Sequence, residues 1–158
     1  MKGLIIFFIY ATILSSVPMR KPGNTQGDTR AEQLAQFLSR RESPLVESAV
    51  SFVQTADKYH LDWTLLPAIA GVESGFERAG NVHDFNAWGY MCGGNPCVFR
   101  SYDEGIETVS KTLATGRAYA RFRESGSIEI LAETYNQSNP VDWTGKVEYF
   151  QSALKGGE

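Results

Sequence analysis

A glutamate on the apolar side of a helix is the first feature of this sequence that suits chemistry. Stepping at about 100° per residue, Leu65, Leu66, Ile69 and Val72 fall within one arc, and Glu73 falls inside it between Ile69 and Leu66. The spacing predicts a carboxyl group on a face that packs inward. An ionised carboxylate is costly to bury, so such a group either finds a partner or keeps its proton. A retained proton is what a general acid working near neutral pH requires. Periodicity leaves a second reading open, in which Glu73 flanks the core and reaches solvent or pairs with Arg78.

The only cysteines, Cys92 and Cys97, enclose Gly93-Gly94-Asn95-Pro96, a turn-rich loop that brings two sulfurs together in an oxidising compartment. Closing so small a loop stabilises a fold by about 2 kcal/mol on the chain-entropy model, so the bond serves mainly to stiffen the loop. A metal site is the alternative, but C-x4-C has no second ligand pair and the histidines, His60 and His83, are isolated. No metal and no other cofactor is expected.

The helix carrying Glu73 is expected over residues 63–74, with Asp62 as its cap, Pro67 near its first turn and Gly75 as its stop. Before it, Ser43-Pro44 reads as an N-cap followed by proline at the first helical position. That start opens a helix ending near Tyr59, with Leu45, Val46, Ala49, Val50, Phe52, Val53 and Ala56 on a broad stripe. Residues 29–41 carry Leu34, Phe37 and Leu38 at helical spacing, a short first helix whose packing stays open. Between 76 and 100, Gly80, Asn81, Gly89, Gly93, Gly94, Asn95 and Pro96 predict an irregular lobe with room for one short hairpin. Ser101-x-x-Glu104 is a capping box opening a helix over 102–115 on Ile106, Val109 and Leu113. Ser127 caps another, with Ile128, Leu131, Ala132 and Tyr135 on one face; after Asn139-Pro140, a last helix carries Trp143, Val147, Phe150 and Leu154. The expected fold is all-α, a small helical domain with one irregular lobe.

Of the 158 residues, 42 % are apolar and 21 % charged, the proportions of a soluble globular chain with one core. Met1-Lys2 and the apolar run 4–17 have the n-region and h-region of a signal peptide, and the run is shorter than the roughly 18 residues that span a bilayer. Ser15 and Ser16 suit cleavage but no A-x-A pattern is present, so a retained signal anchor is the alternative. Residues 1–17 are thus read as signal peptide or anchor, 18–29 as a flexible linker, 30–154 as the folded domain and 155–158 as a tail. An exported protein is expected, periplasmic, extracellular or anchored to the outer face of the plasma membrane. A net charge of -3 and a pI near 5.5 leave no basic footprint for polyphosphate, which excludes nucleic acid as a partner.

Around Glu73 a set of motifs stands in order: Val72-Glu73-Ser74-Gly75-Phe76, then Asn86-Ala87-Trp88-Gly89-Tyr90, then Phe99-Arg100-Ser101-Tyr102-Asp103-Glu104-Gly105-Ile106. The set resembles the glycan-cleaving domains of the lysozyme-like superfamily, both the mannosyl-glycoprotein endo-β-N-acetylglucosaminidase-like (glucosaminidase) family and the soluble lytic transglycosylases. In those families an E-S segment ends a core helix with the catalytic acid, an N-x-[FW]-G element lines the cleft, and an F-x-[ST]-x-x-E-G segment opens the next helix. The resemblance covers residues 56–150 and rests on the ordered set, because E-S-G-F alone occurs by chance in many helices.

The resemblance implies an α+β lysozyme-like fold and a peptidoglycan-directed glycosidase cutting β-1,4 bonds between N-acetylated sugars, with Glu73 as general acid and then base. Thr134-Tyr135-Asn136-Gln137-Ser138 resembles the tyrosine element that faces the acid in both families. It implies that Tyr135 orients substrate or stabilises positive charge, and that Asn136, Ser74 and Phe76 border the sugar. Trp88 and Tyr90, with Phe85 and Phe99, supply stacking walls, and Asn86 offers its amide to an acetamido group. The transglycosylase G-L-M-Q element is here Trp88-Gly89-Tyr90-Met91, and A-Y-N-x-G ends in Ser138, so the branch stays open.

Hydrolysis through two carboxylates needs a partner for Glu73. Glu77, Asp84 and Asp103 are the candidates, and Asp84 is preferred because Asp103 is explained by the first turn of a helix. Lytic transglycosylases manage with one acid, because the sugar's own C6 hydroxyl or acetamido group replaces the external nucleophile. The alternative from another class is a catalytically silent lysozyme-like domain that binds cell-wall glycan. Either way a monomer is expected, with peptidoglycan or a related N-acetylated glycan as partner and the membrane involved only through an N-terminal anchor.

Overall fold

The computed structural model describes residues 28–78 and 84–156. The expected signal segment and all but the end of the linker lie outside the described residues, as do Gly80, Asn81 and His83 of the lobe. The described part is mostly helical: α1 (Thr29–Ser39), α2 (Ala49–Tyr59), α3 (Leu65–Ser74), α4 (Tyr102–Thr115), α5 (Ala120–Ser125), α6 (Ile128–Tyr135) and α7 (Pro140–Gly156). One two-stranded antiparallel hairpin, β1 (Met91–Cys92) and β2 (Asn95–Pro96), stands in the lobe between α3 and α4. Among the described residues no helix is long and apolar enough to cross a membrane.

α3 is the axis of the packing. Every residue from Leu65 to Gly71 is buried, so this helix is enclosed on all sides rather than lying along a surface. It packs against α7, α7 against α6, and α2 against α4. α1, whose packing the sequence leaves open, belongs to the core: Leu34 and Leu38 are fully buried, and Gln33 Nε2 donates to Leu154 O near the end of α7. Edge-on aromatic contacts join Phe37 to Phe76, Phe76 to Phe150 and Phe52 to Trp88, the favoured geometry for rings carrying a quadrupole.

Short-range capping explains several boundaries. Ser43, Ser101 and Ser127 each accept a backbone N–H with the side-chain oxygen, and Gly75 closes α3 in the left-handed conformation. The helix expected to run from Pro44 to Tyr59 is divided into a 3-10 segment, Pro44–Ser48, and α2, because Ser48 at φ -96 and ψ 9 leaves helical geometry. The reciprocal half of the Ser101 capping box is also absent, since Glu104 turns to the backbone and guanidinium of Arg100. The 3-10 segment Arg117–Tyr119 and α5 have no counterpart in the sequence reading. Among them only Phe122 is buried, so no apolar period marks them.

Candidate functional site

The end of α3 reverses sharply. Gly75, Phe76 and Glu77 all have positive φ, at 60°, 63° and 58°. For the two non-glycine residues this costs about 1–2 kcal/mol each. Burying the Phe76 ring offsets roughly 2–3 kcal/mol of it, and the ring is only 3 % exposed. A Cβ on Gly71 would stand 2.4 Å from Cζ of Phe76, so the ring fits only because that position is glycine. Ser74 Oγ donates to Ala70 O and accepts from Glu77 N, while Ser43 Oγ donates to Phe76 O. Ser74 and Phe76, expected to border substrate, instead hold this reversal, because its backbone groups need those partners.

Glu73 emerges from α3 just before that reversal and is exposed. Of the two readings that the spacing leaves open, this is the one in which Glu73 flanks the core and reaches solvent. A helical wheel assumes burial along the whole helix, whereas the last turn of α3 runs out of the core. The carboxylate has nevertheless found a partner. Trp143 of α7, 1 % exposed, donates its indole N–H to Glu73 Oε1 at 2.7 Å. Without that acceptor a buried donor would be stranded, at a cost of about 1–3 kcal/mol. The Trp143 ring stacks on Tyr135 of α6 at 5.2 Å and 26°.

Tyr135 donates its hydroxyl to Trp88 O at 2.8 Å. Burial, and then the charge of Glu73, push its phenol well above the usual range, so it stays a proton donor. Gly89 follows with φ 59, and a Cβ there would stand 3.1 Å from Glu73 Oε2. Glycine is needed at this position for its backbone and for the close approach of the carboxylate. α3, α6, α7 and the lobe therefore meet at Glu73, with Oε1 held and Oε2 directed at the lobe.

Beside this point lies a cavity of about 310 Å³ lined by Gly89, Tyr90, Met91, Thr112, Tyr119, Thr134 and Tyr135. Tyr90 pairs its hydroxyl with that of Thr112 at 2.9 Å. Burial, and then Tyr90, raise the Tyr119 phenol. Trp143, Thr112 and Tyr119 are residues that sequence reasoning missed. Trp143 read as core, which it also is, and Tyr119 sits on the 3-10 segment that no periodicity marks.

Other expected contacts are placed differently. Trp88 is fully buried, donates Nε1–H to Leu66 O and packs on Phe52, so its ring is no stacking wall. Asn86 is 8 % exposed; Nδ2 donates to Tyr90 O and Cys97 O, and Oδ1 accepts from Tyr90 N. Those bonds commit both ends of the amide to clamping the lobe. Phe99 is buried and Phe85 packs edge-on to Tyr102. Asn136 ends α6, and its Oδ1 accepts from Ser138 Oγ and Asn139 N, shaping the turn into α7. The expected disulfide is present: Cys92 and Cys97 close the hairpin, with Gly93 and Gly94 at positive φ in its turn.

The carboxylates considered as partners for Glu73 lie elsewhere. Asp84 accepts Asn86 N and acts electrostatically on Glu77 and Tyr102; among the described residues nothing ties it to Glu73. Asp103 stands exposed in the first turn of α4, where the helix dipole favours it. Burial, and then Asp84, raise the Glu77 carboxyl; burial, Glu77 and Asp84 push the Tyr102 phenol up to about 12.

No family model, no curated protein and no solved structure matches the chain. The chemistry of the site therefore rests on its own geometry. The site holds one carboxylate, fixed through one oxygen, with the other directed at Gly89, a residue that also lines the neighbouring tyrosine-walled cavity.

Proposed function

We propose that this chain is a peptidoglycan-directed glycosidase of lysozyme-like fold that cleaves β-1,4 bonds between N-acetylated sugars, with Glu73 as its general acid and base. The observation carrying this reading is the held carboxylate: Trp143 fixes Oε1, and Oε2 faces Gly89 beside a cavity walled by Tyr90, Tyr119 and Tyr135. The ordered motifs around Glu73 support it, and a helical domain with a small hairpin lobe suits the lysozyme-like arrangement they resemble. Glu73 protonates the leaving oxygen, then as carboxylate draws a proton from the attacking hydroxyl. With no second carboxylate in contact among the described residues, the sugar's own C6 hydroxyl is the favoured nucleophile, as in lytic transglycosylases. The disulfide suits an oxidising compartment, in keeping with export.

The exposure of Glu73 favours one second reading, a catalytically silent domain that binds wall glycan. Mass spectrometry of purified peptidoglycan treated with the protein separates the two. New anhydro-muramic ends support the transglycosylase, and new reducing ends a hydrolase. Glu73→Gln keeps an acceptor for Trp143, so it folds normally and loses about 10²- to 10⁴-fold in rate. A fully active Gln variant refutes the assignment; sacculus binding without new ends from the wild-type chain leaves the binding module.

A further inference from the structure

A second polar cluster lies past the end of α3 and takes no part in the reading of Glu73. Glu77 is 5 % exposed, and its carboxylate accepts no hydrogen bond among the described residues. Asp84, whose charge acts on Glu77, uses Oδ1 for Asn86 N and leaves Oδ2 uncommitted among the described residues. Tyr102, on the first turn of α4, packs its ring edge-on to Phe85 at 5.1 Å. Its hydroxyl is wholly buried without a partner, and both carboxylates act on it.

Three oxygen-bearing groups, from the end of α3, the lobe and α4, therefore act on one another electrostatically, and no hydrogen bond joins any two of them. A phenol in hydrogen-bond reach of a carboxylate donates to it, and the Tyr102 hydroxyl donates to neither, so a species set between them would satisfy both sides. A buried carboxylate beside a half-buried one also calls for positive charge. Among the described residues neither Glu77 nor Asp84 enters a salt bridge.

We infer that Glu77 and Asp84 bind one hard divalent cation of the calcium class, with the Tyr102 oxygen accepting from a water of the ion's shell. Hard cations prefer oxygen ligands, and calcium tolerates irregular geometry where magnesium demands an octahedron. Among the described residues no group of three or more His, Cys, Asp or Glu converges. Water therefore supplies much of the shell, and the affinity falls at roughly 10⁻⁴–10⁻³ M, the range of extracellular modules. The ion ties the lobe to the end of α3 whether or not the protein cleaves glycan.

The test is thermal unfolding of the full chain in EDTA and in about 10 mM calcium chloride, well above that affinity. Tm rises by about 4–13 °C in calcium and by less than half as much in magnesium. Terbium, excited through neighbouring aromatic rings, luminesces in the site and is displaced by calcium. Glu77→Gln and Asp84→Asn each abolish both signals, and Tyr102→Phe weakens calcium binding about tenfold. Either carboxylate variant suffices if the other fails to fold. Equal Tm in calcium and EDTA without terbium emission means that water fills the gap and overturns the inference. An undiminished shift in both carboxylate variants places the ion elsewhere and overturns it as well.

Discussion

Alanine at Gly105 and alanine at Gly145 should move stability in opposite directions. Both positions lie inside helices, α4 and α7, where alanine is favoured over glycine by about 0.5–1 kcal/mol. At the exposed Gly145 a Cβ meets nothing within 4 Å, so that gain stands alone. At Gly105 a Cβ would stand 2.4 Å from Cζ3 of Trp88, 3.1 Å from Cδ2 of Phe99 and 3.2 Å from Phe85 O. The Trp88 ring is fully buried and its N–H is held by Leu66 O, so it has nowhere to retreat. Overpacking of this kind costs about 1–3 kcal/mol. With a rigid ring the upper end applies, leaving a net loss of about 2 kcal/mol after the helical gain. For a domain of this size that is a Tm lower by about 6–10 °C, against a rise of a few degrees for Gly145→Ala. Reversible thermal and urea unfolding, followed by circular dichroism, measures both. A Gly105→Ala protein melting at or above wild type would show that α4 does not press on Trp88, and the described seating of the lobe would be wrong. Because Trp88 also receives the Tyr135 hydroxyl and precedes Gly89, the same variant should lose the proposed wall-cleaving activity beyond its loss of folded protein.

Trp143→Phe keeps a ring against Tyr135 but removes the donor to Glu73; we expect about 1–2 kcal/mol lost in urea unfolding and at least a tenfold slower release of glycan fragments. An unchanged rate would mean that holding Oε1 is irrelevant to the reaction. Asn86→Ala strands the backbone groups of Tyr90 and Cys97 and should cost about 2–4 kcal/mol. Asn86→Asp should not rescue it, since the two bonds to carbonyls need N–H donors; full rescue would contradict the clamp. Replacing Cys92 and Cys97 together by serine should cost no more than about 2 kcal/mol, because the closed loop is short. Activity should stay within a few-fold, since Asn86 still holds Tyr90; a collapse in activity would transfer the clamp's role to the disulfide.

The sequence by itself determined the elements whose signals are local. Ser43, Ser101, Ser127 and Gly75 act on backbone groups within a few residues, so the helix ends beside them were legible. The loop between Cys92 and Cys97 was legible for the same reason. α5 and the 3-10 segment before it were not, because Phe122 alone among them is buried and sets no apolar period. The place of Glu73 at the end of α3 could be read from the chain, but periodicity left its burial and its exposure both open, since the choice depends on where neighbouring elements stop. Asn86 and Trp88 show the limit most plainly: an amide and an indole suit a sugar or a backbone carbonyl equally, and only their surroundings choose. Tertiary structure alone decided that Trp143, 70 residues away, would hold Glu73, that Gly89 would leave room for its second oxygen, and that Tyr119 would wall the cavity. The physical reason is range: caps and turns are satisfied by near neighbours, whereas a site is made where distant elements pack and each donor finds the acceptor that burial leaves it.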